Sequence, residues 1–453
     1  LLKSKSITTF LAQHLLQFLP TLPSTACYWI AFSGGLDSTC LLHALAQLRQ
    51  HFSTPMRALH LDHEIQAESA SWAIHCQKIC IQLGIECQTQ TLNVTAIRGE
   101  SLEAVARQAR LVAYQKTINA HDIILTAQHR DDQAETMLLQ LLRGSGLPGL
   151  AAMPKLTNLP PGWLARPLLD ISRSQLLAYA QEHNLTWIED PSNHSEVFDR
   201  NYLRHRILPL MAKRWPSYSA TIARSAGHCA EAQELLDELL IPIMQTVSGQ
   251  RHGTLSKSAL LELEPKLGRA VLRRWIKSHG QVVPQSKLIR QIQEEVLTAT
   301  PDRSPQVNWG GMEIRRYRDD IFLIPNLPPL PTACINWSVD NEYCDLPIGL
   351  GRLRRCYLVN AVATNIKKFN HAAIQVRFGV TGIRCRPPGA KHHYRIKNLY
   401  QTYAIPDWLR PYIPLIYFND ELIAIAGVCK CGSFVAAMEL EIVWEAPSWV
   451  PIS

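Results

Sequence analysis

No stretch of this 453-residue chain approaches the ~18–20 consecutive apolar residues that a membrane-spanning helix needs. Internal repeats and long low-complexity segments are also missing, which excludes a repeat array and a largely disordered protein. The pattern GxxxxGK[ST] occurs nowhere, so there is no Walker-type phosphate loop. Zinc-site spacing is lacking too. The twelve cysteines are scattered, and the closest pairs, Cys76/Cys80 and Cys429/Cys431, have no second pair of ligands in sequence. They are expected to be reduced core thiols of a cytosolic protein.

What the chain does have is 47% hydrophobic and 19% charged residues, ordinary for a globular protein of about two to four domains. A formal net charge of +8 favours a polyanionic partner where the charge proves to be clustered. Lys3 and Lys5 precede a fairly apolar stretch, as in a signal peptide. But Ile7, Phe10, Leu11, Leu15 and Phe18 recur at helical spacing, which predicts an amphipathic helix instead. The chain opens on Leu1, and the expectation is an initiator methionine removed or a numbering that begins late.

The first half alternates short apolar strands with helices. Strands are predicted over 27–32, 56–62, 85–92 and 122–127, and helices over 38–49, 72–83, 101–118 and 131–142. That alternation implies an α/β fold with a doubly wound parallel sheet, whose ligands bind beyond the carboxyl ends of the strands. After about Pro216 helices dominate, over 217–240, 265–279 and 285–297, with short strands around 312–324. Pro325 to Pro331 is a proline-rich linker that cannot lie inside a sheet. Beyond it, strand-like runs and one helix near 396–403 predict a C-terminal α+β domain.

Three patterns carry chemistry. Ser33-Gly-Gly-Leu-Asp-Ser38 follows a strand and opens a helix. Gly34 and Gly35 permit a tight turn, and the free N–H groups with the Ser33 and Ser38 hydroxyls form an anion cradle. The plainer alternative for the hexapeptide alone is a glycine turn with Asp37 or Ser38 as helix cap. His129-Arg-Asp-Asp-Gln-Ala-Glu-Thr136 again begins a helix. Its acidic first turn suits the helix dipole, yet His129, Asp132 and Glu135 also make a cluster able to bind Mg²⁺ or a lysine ammonium. On the helix from Ser101, Glu103, Arg107, Arg110 and Tyr114 share one face, with Leu102, Val105, Ala109 and Val112 as the buried face. That face is either a solvated salt-bridged surface or a pair of arginines offered to phosphate.

With these residues in place the sequence resembles the PP-loop of the N-type ATP pyrophosphatases, which adenylate an oxygen, release pyrophosphate and let a nucleophile displace AMP. Within them it is similar to the tRNA(Ile)-lysidine synthetase family. The similarity rests on Leu142-Arg-Gly-Ser-Gly146 with Gly149-Leu150, Arg166-Pro-Leu-Leu169, Glu189-Asp-Pro-Ser-Asn193 and Asp199-Arg-Asn-Tyr-Leu-Arg204 with Pro209. It extends more thinly through Ala223 to Ala226, Glu313 to Tyr317 and Lys397 to Leu415. His63-Glu64 stands where the family usually has histidine and glycine, and Gln128 often corresponds to histidine. No CxxC lies between the motifs, which argues against sulfur transfer, and no glutaminase-like cysteine heads the chain.

The resemblance implies that ATP adenylates the C2 oxygen of the wobble cytidine in a CAU anticodon. Free lysine then attacks C2, giving lysidine and AMP and changing the codon read from AUG to AUA. It implies that Ser33, Gly34, Gly35, Leu36, Asp37, Ser38 and His129 serve ATP, and that Asp37 and Asp132 hold Mg²⁺ or substrate. Arg107, Arg110, Arg200 and Arg204 are expected on phosphate or the flipped base, with a carboxylate or histidine as base for the lysine amine. The expected division is 1–216 for PP-loop adenylation and 217–325 as a mainly helical tRNA-binding domain. Residues 326–368 would be a linker and the start of the last domain, and 369–453 a C-terminal α+β tRNA-recognition domain. Isoleucine tRNA with a CAU anticodon and free L-lysine are the expected partners, with no membrane partner. The expected location is the cytoplasm, and any self-association is expected to give a homodimer.

Affinity for tRNA should come mainly from phosphate contacts. Arg269, Arg273 and Lys277 recur every four residues on one helix face. Arg384, Arg386, Lys391, Arg395 and Lys397 crowd a stretch, 383–397, that has no acidic residue. Both are candidate tRNA contacts, and both read otherwise as solvated basic surface.

Overall fold

The structure, a computed structural model, describes residues 7–62, 69–92, 102–191, 198–300, 303–338, 341–347, 349–357, 374–431, 440–447 and 449–450. Expectations for His63 and Glu64, Ser101, the side chains of Leu102 and Glu103, Ser192 and Asn193, and 358–373 lie outside the described residues. The chain divides into two compact units, Leu1–Leu236 and Asp237–Ser453. Among the described residues, no helix is long and apolar enough to cross a membrane.

In the first unit six strands form one sheet. They are β1 (Tyr28–Ala31), β2 (Met56–Asp62), β3 (Glu86–Thr91), β4 (Ile123–Leu125), β5 (Leu156–Leu159) and β6 (Gly162–Ala165), in the order β3-β2-β1-β4-β6-β5. All neighbours pair in parallel except β5, which returns antiparallel to β6. The helices are α1 (Ile7–Phe18), α2 (Leu36–Leu48), α3 (Ser69–Leu83), α4 (Leu102–Thr117), α5 (Arg130–Leu142), α6 (Leu147–Leu150) and α7 (Arg173–Glu182).

Central strands β1 and β4 are unbroken apolar runs because helices cover both faces of the sheet. On one face Leu15 of α1, Leu41 and Leu45 of α2, Cys80 of α3 and Leu176 of α7 enclose Ile30 and Leu125. Each such leucine contributes ~1.5–3 kcal/mol by leaving water. On the other face Tyr114 and Ile118 pack against Trp29, Leu59 and Ile124. The doubly wound sheet expected from the sequence is therefore present.

Two helical faces differ from expectation. On α4, Tyr114 is buried and Val112 is exposed, because the face meeting the sheet carries Tyr114 and Ile118. On α1, Leu11, Leu15 and Phe18 are buried while Phe10 is exposed at the margin of the apolar stripe. After α7 come α8 (Asp199–Tyr202), a π-turn over Leu203–Ile207, α9 (Leu208–Arg214) and the long α10 (Tyr218–Thr246).

The second unit takes in the end of α10 and continues with β7 (Leu255–Ser256), α11 (Lys257–Glu262), α12 (Pro265–Ser278) and α13 (Ser286–Gln291). Strands β8 (Gln306–Trp309), β9 (Met312–Tyr317) and β10 (Asp320–Pro325) follow, and the antiparallel order is β7-β10-β9-β8. Buried Arg316 of β9 donates to the carbonyls of Val296, Ala299 and Thr300, satisfying the last carbonyls of the turn after α13. Its part of the Glu313–Tyr317 motif is therefore structural.

The remaining elements are β11 (Ile335–Trp337), β12 (Tyr343–Asp345), β13 (Arg352–Tyr357), β14 (Ile374–Arg377), β15 (Arg384–Cys385) and β16 (Tyr394–Arg395). Then come α14 (Ile396–Thr402), β17 (Leu415–Phe418), β18 (Glu421–Ile425), β19 (Cys429–Lys430) and β20 (Leu440–Glu445). They build sheets β11-β14-β17-β18-β19 and β12-β13-β20, with β15 and β16 as a separate ribbon. Trp408 joins the two sub-assemblies. Its ring meets Phe322 and Tyr317 edge-on at 5.6 and 6.1 Å, and the Arg315 guanidinium stacks over it at 5.5 Å.

One expectation is corrected here. The cysteines are not all separate reduced thiols. Cys385 and Cys431 are disulfide-bonded, and the Cys429 sulfur lies 3.9 Å from that of Cys385. Cys385 arrives on β15 and the other two on and just after β19, so the fold unites sulfurs that are 44 and 46 residues apart in sequence.

Candidate active site at the carboxyl edge of the parallel sheet

Strand β1 lies where the winding of the sheet reverses, between β2 and β4, the position at which such folds bind ligands. Phe32 still donates to Leu59, at 2.9 Å, and then the chain turns. Gly34 sits at φ +80°, and a Cβ there would stand 2.7 Å from Ile188 Cδ1 and 2.8 Å from Cys76 Sγ. Conformation and space both demand glycine. Gly35 is the N-cap of α2 and brings no capping side chain, so that helix end faces the cleft with its backbone donors. Ser33 Oγ and Ser38 Oγ lie 3.1 Å apart, and Ser38 Oγ donates to the Gly35 carbonyl at 3.0 Å. Ile188 N–H donates to the Gly34 carbonyl at 2.9 Å. That latch places Glu189 to Pro191, the described part of the motif, directly after the glycine turn.

Facing this turn, β4 ends and α5 begins at His129. His129 and Asp132 cap the helix reciprocally. Asp132 N–H points to His129 Nδ1 at 3.4 Å, and His129 N–H donates to Asp132 Oδ2 at 3.0 Å. His129 Nε2 is 3.5 Å from Asp37 Oδ2 and 3.5 Å from Asp132 Oδ2. The fold thus joins the two motifs through one imidazole. Burial opposes its protonation, but Asp132, Asp37 and Asp131 outweigh that and hold His129 above its ordinary range. Gln128, a departure from the family pattern, accepts from the Thr126 hydroxyl.

Asp132 and Glu135, both buried, receive a double arginine clamp. Arg200 reaches Asp132 Oδ1 at 2.9 Å and Glu135 Oε2 at 2.7 Å. Arg204 reaches Asp132 Oδ1 at 3.0 Å and Glu135 Oε1 at 2.6 Å. Burial would raise the Asp132 pKa, but His129, Arg200 and Arg204 together hold it below the usual carboxylate range. Arg204 is pushed upward despite its burial, by Glu135 first and then Asp132. In contrast, Asp37 Oδ1 is buried without a hydrogen-bond partner among the described residues. Asp131 accepts from the Arg173 N–H at 2.9 Å and so braces the start of α7.

Arg107 and Arg110 lie elsewhere on this edge, exposed on α4 beside Arg166 and Tyr114. Burial, and then the charge of Arg107, depress the Arg166 guanidinium to about 10. The site also takes in Glu135, expected from its place in the His129–Asp132 cluster, and Tyr218, which the sequence did not point to. Glu135 is the deepest carboxylate of the clamp. Tyr218, at the start of α10, feels the charges of Asp131, Glu135 and Arg204. The one available signal for Glu135 was its spacing of three from Asp132; Tyr218 had none.

In the second unit, Arg269 donates to Gln293, Arg273 to Ser286 and Lys277 to Asp237. Arg384, Arg386, Lys391, Arg395 and Lys397 are all exposed. In the β15–β16 ribbon, Arg384 stands directly opposite Arg395.

A glycine-turn anion cradle at the reversal point of a parallel sheet, faced by a carboxylate–histidine cluster, defines a PP-loop domain that uses ATP. A family model described as the PP-loop domain matches residues 7–211. Models of the TilS substrate binding domain and the TilS substrate C-terminal domain match 255–322 and 374–444. The chain is 42% identical over 432 residues to the tRNA(Ile)-lysidine synthase of Coxiella burnetii, covering 95% of each chain. It is 40% identical to that of Methylococcus capsulatus, covering 88% of this chain and 91% of the relative. To that of Serratia proteamaculans it is 41% identical, covering 88% and 90%. The chain belongs to the tRNA(Ile)-lysidine synthase family.

Proposed function

We propose that this enzyme forms lysidine on tRNA(Ile) by joining free lysine to the wobble cytidine, with the cleft between Asp37 and Asp132 as its reaction centre. The observation that carries the reading is Asp37. It sits in the first turn after the glycine cradle, has a buried unpartnered oxygen, and touches the histidine that caps the second motif.

In this reading Ser33 to Ser38 and His129 hold the phosphates of ATP. The cytidine C2 oxygen bonds to the α-phosphorus as the α–β bond breaks and pyrophosphate leaves. The ε-amine of lysine, having lost a proton, then bonds to C2 while the C2–O bond breaks and AMP departs. Asp37 and Asp132 are hard oxygen donors that fit Mg²⁺, and the free Asp37 Oδ1 is the strongest argument for that fit. Mg²⁺ there would offset the charge of the departing pyrophosphate. Asp132 and Glu135 are already matched by Arg200 and Arg204. Their role is to fix the carboxylates and present a cationic edge to phosphate or base. Arg107 and Arg110, backed by Arg166, supply a second cationic edge.

The division of labour carried forward is 1–216 for adenylation, 217–325 and 369–453 for tRNA binding, and 326–368 as the join. Arg269, Arg273 and Lys277 on α12 and the basic stretch from Arg384 to Lys397 are the proposed phosphate contacts. The proposed setting is the cytoplasm, with self-association limited to a homodimer, which light-scattering mass checks. The experiment is incorporation of labelled lysine into a CAU-anticodon isoleucine tRNA transcript, with and without ATP, beside a methionine tRNA. ATP-dependent labelling of the isoleucine tRNA alone is expected. Release of AMP without lysine incorporation would point to a different nucleophile.

A further inference from the structure

Side chains alternate along a strand, so Cys429 and Cys431, two apart, face the same way. Cys385 faces them from β15, and the three sulfurs lie within 4.8 Å of one another. Among the described residues this is the group of three or more histidine, cysteine and acidic side chains whose ligand atoms all come this close together. We propose that, once the Cys385–Cys431 bond is reduced, Cys385, Cys429 and Cys431 form a three-thiolate site for a soft, thiophilic cation such as Zn²⁺.

The spacing suits such an ion. With Zn–S bonds of about 2.3 Å, two sulfurs on a tetrahedral ion lie about 3.8 Å apart; Cys385 and Cys429 are separated by 3.9 Å. Cys431 is already on the same side of the cluster and needs only to leave its bond to Cys385. A dithiol supplies the two electrons and two protons that convert that bond to two thiols, and itself becomes a disulfide. Binding the cation then releases one proton from each thiol to water. A fourth position stays open for water or another donor.

The surroundings are built for this. Cys385 and Cys431 are buried in an apolar shell that includes Ile396, Tyr400, Tyr417 and Leu422. Lys430 lies between two of the ligands, and Arg384 and Arg395 flank the third, so positive charge offsets the thiolates. An ion here would tie the β15–β16 ribbon to β18 and β19 as the disulfide does, without an oxidant. This inference does not depend on the tRNA reading.

The test uses the full chain, reduced anaerobically with a phosphine and freed of metal. Zn²⁺ is titrated against a chromophoric chelator, and Co²⁺ is added separately as a spectroscopic probe. A single tightly held ion per chain and a thiolate-to-cobalt charge-transfer band are expected. Both should be lost in Cys429→Ser and kept in Cys334→Ser, whose cysteine is exposed and outside the cluster. Cys429 is a free, half-buried cysteine, so its serine variant should fold; matching circular dichroism and melting of the metal-free forms checks this. Reduced protein that retains no Zn²⁺, or retains it equally after Cys429→Ser in a variant that folds, overturns the proposal.

Discussion

The cluster around His129 and the ribbon around Arg384 use charge in opposite ways. In the first, Asp132 and Glu135 are buried and each is paired with both Arg200 and Arg204. In the second, Arg384 and Arg395 face each other across a ladder, exposed, in a stretch with no acidic residue. Burial makes the first arrangement stiff and expensive to disturb. Exposure makes the second inexpensive to alter but responsive to salt, since like charges side by side destabilise a ribbon until an anion neutralises them. Internal neutralisation suits a site that must hold reacting atoms still. Unneutralised charge suits one that must capture a polyanion.

The sharpest way to break the comparison is at Asp37, a cleft carboxylate whose buried Oδ1 has no partner among the described residues. Asp37→Ala should lower lysine incorporation by about 10³-fold or more, in the range of lost charge stabilisation at a reaction centre, while tRNA binding by filter assay survives. An unchanged rate would remove Asp37 from the chemistry. Next is the clamp. Glu135→Ala leaves two arginines facing only Asp132, and stability should fall by about 3–5 kcal/mol, the cost of stripping one partner from a buried pair. A shifted midpoint in urea unfolding reads this; a change below about 1 kcal/mol would mean that the arginines relax into solvent. Gly34→Ala should raise the KM for ATP roughly tenfold or more, because a Cβ meets Ile188 and Cys76 and the φ of +80° stays strained. Ile188→Ala should restore only part of the loss, since it relieves the contact and not the backbone.

What the sequence disclosed follows the same division. The glycine cradle and the His129 helix were legible because each is local: an apolar strand, a turn and a capped helix within ten or so residues. Residues 56–62 were read as a strand with the observed bounds for the same reason. The clamp was not legible. Arg200 and Arg204 stood out as cations, but their partners lie 65 to 72 residues away, and no local pattern says that a guanidinium will bury against Asp132 and Glu135 rather than meet phosphate. Strand β5 was missed because it turns back antiparallel where alternation of strand and helix predicts a crossover. The three cysteines failed as a motif because a tertiary contact, not spacing, unites them.

The smallest expected effect is the most specific for the ribbon. Replacing Arg384 and Arg395 together with alanine removes two neighbouring cations and no ion pair between side chains among the described residues. If the ribbon touches phosphate, each lost contact should reduce the slope of log affinity against log salt by about 0.7–0.9. The double variant should therefore flatten that slope by up to about 2, with tRNA affinity down most at low salt. The turnover of bound tRNA should stay as in the parent, because neither residue belongs to the cleft. The ribbon itself should gain a few tenths of a kcal/mol, since the like charges that faced each other are gone. Stability and affinity then move in opposite directions. A merely structural role would lower both together, so measuring melting and salt-dependent binding on the same preparation separates the two accounts.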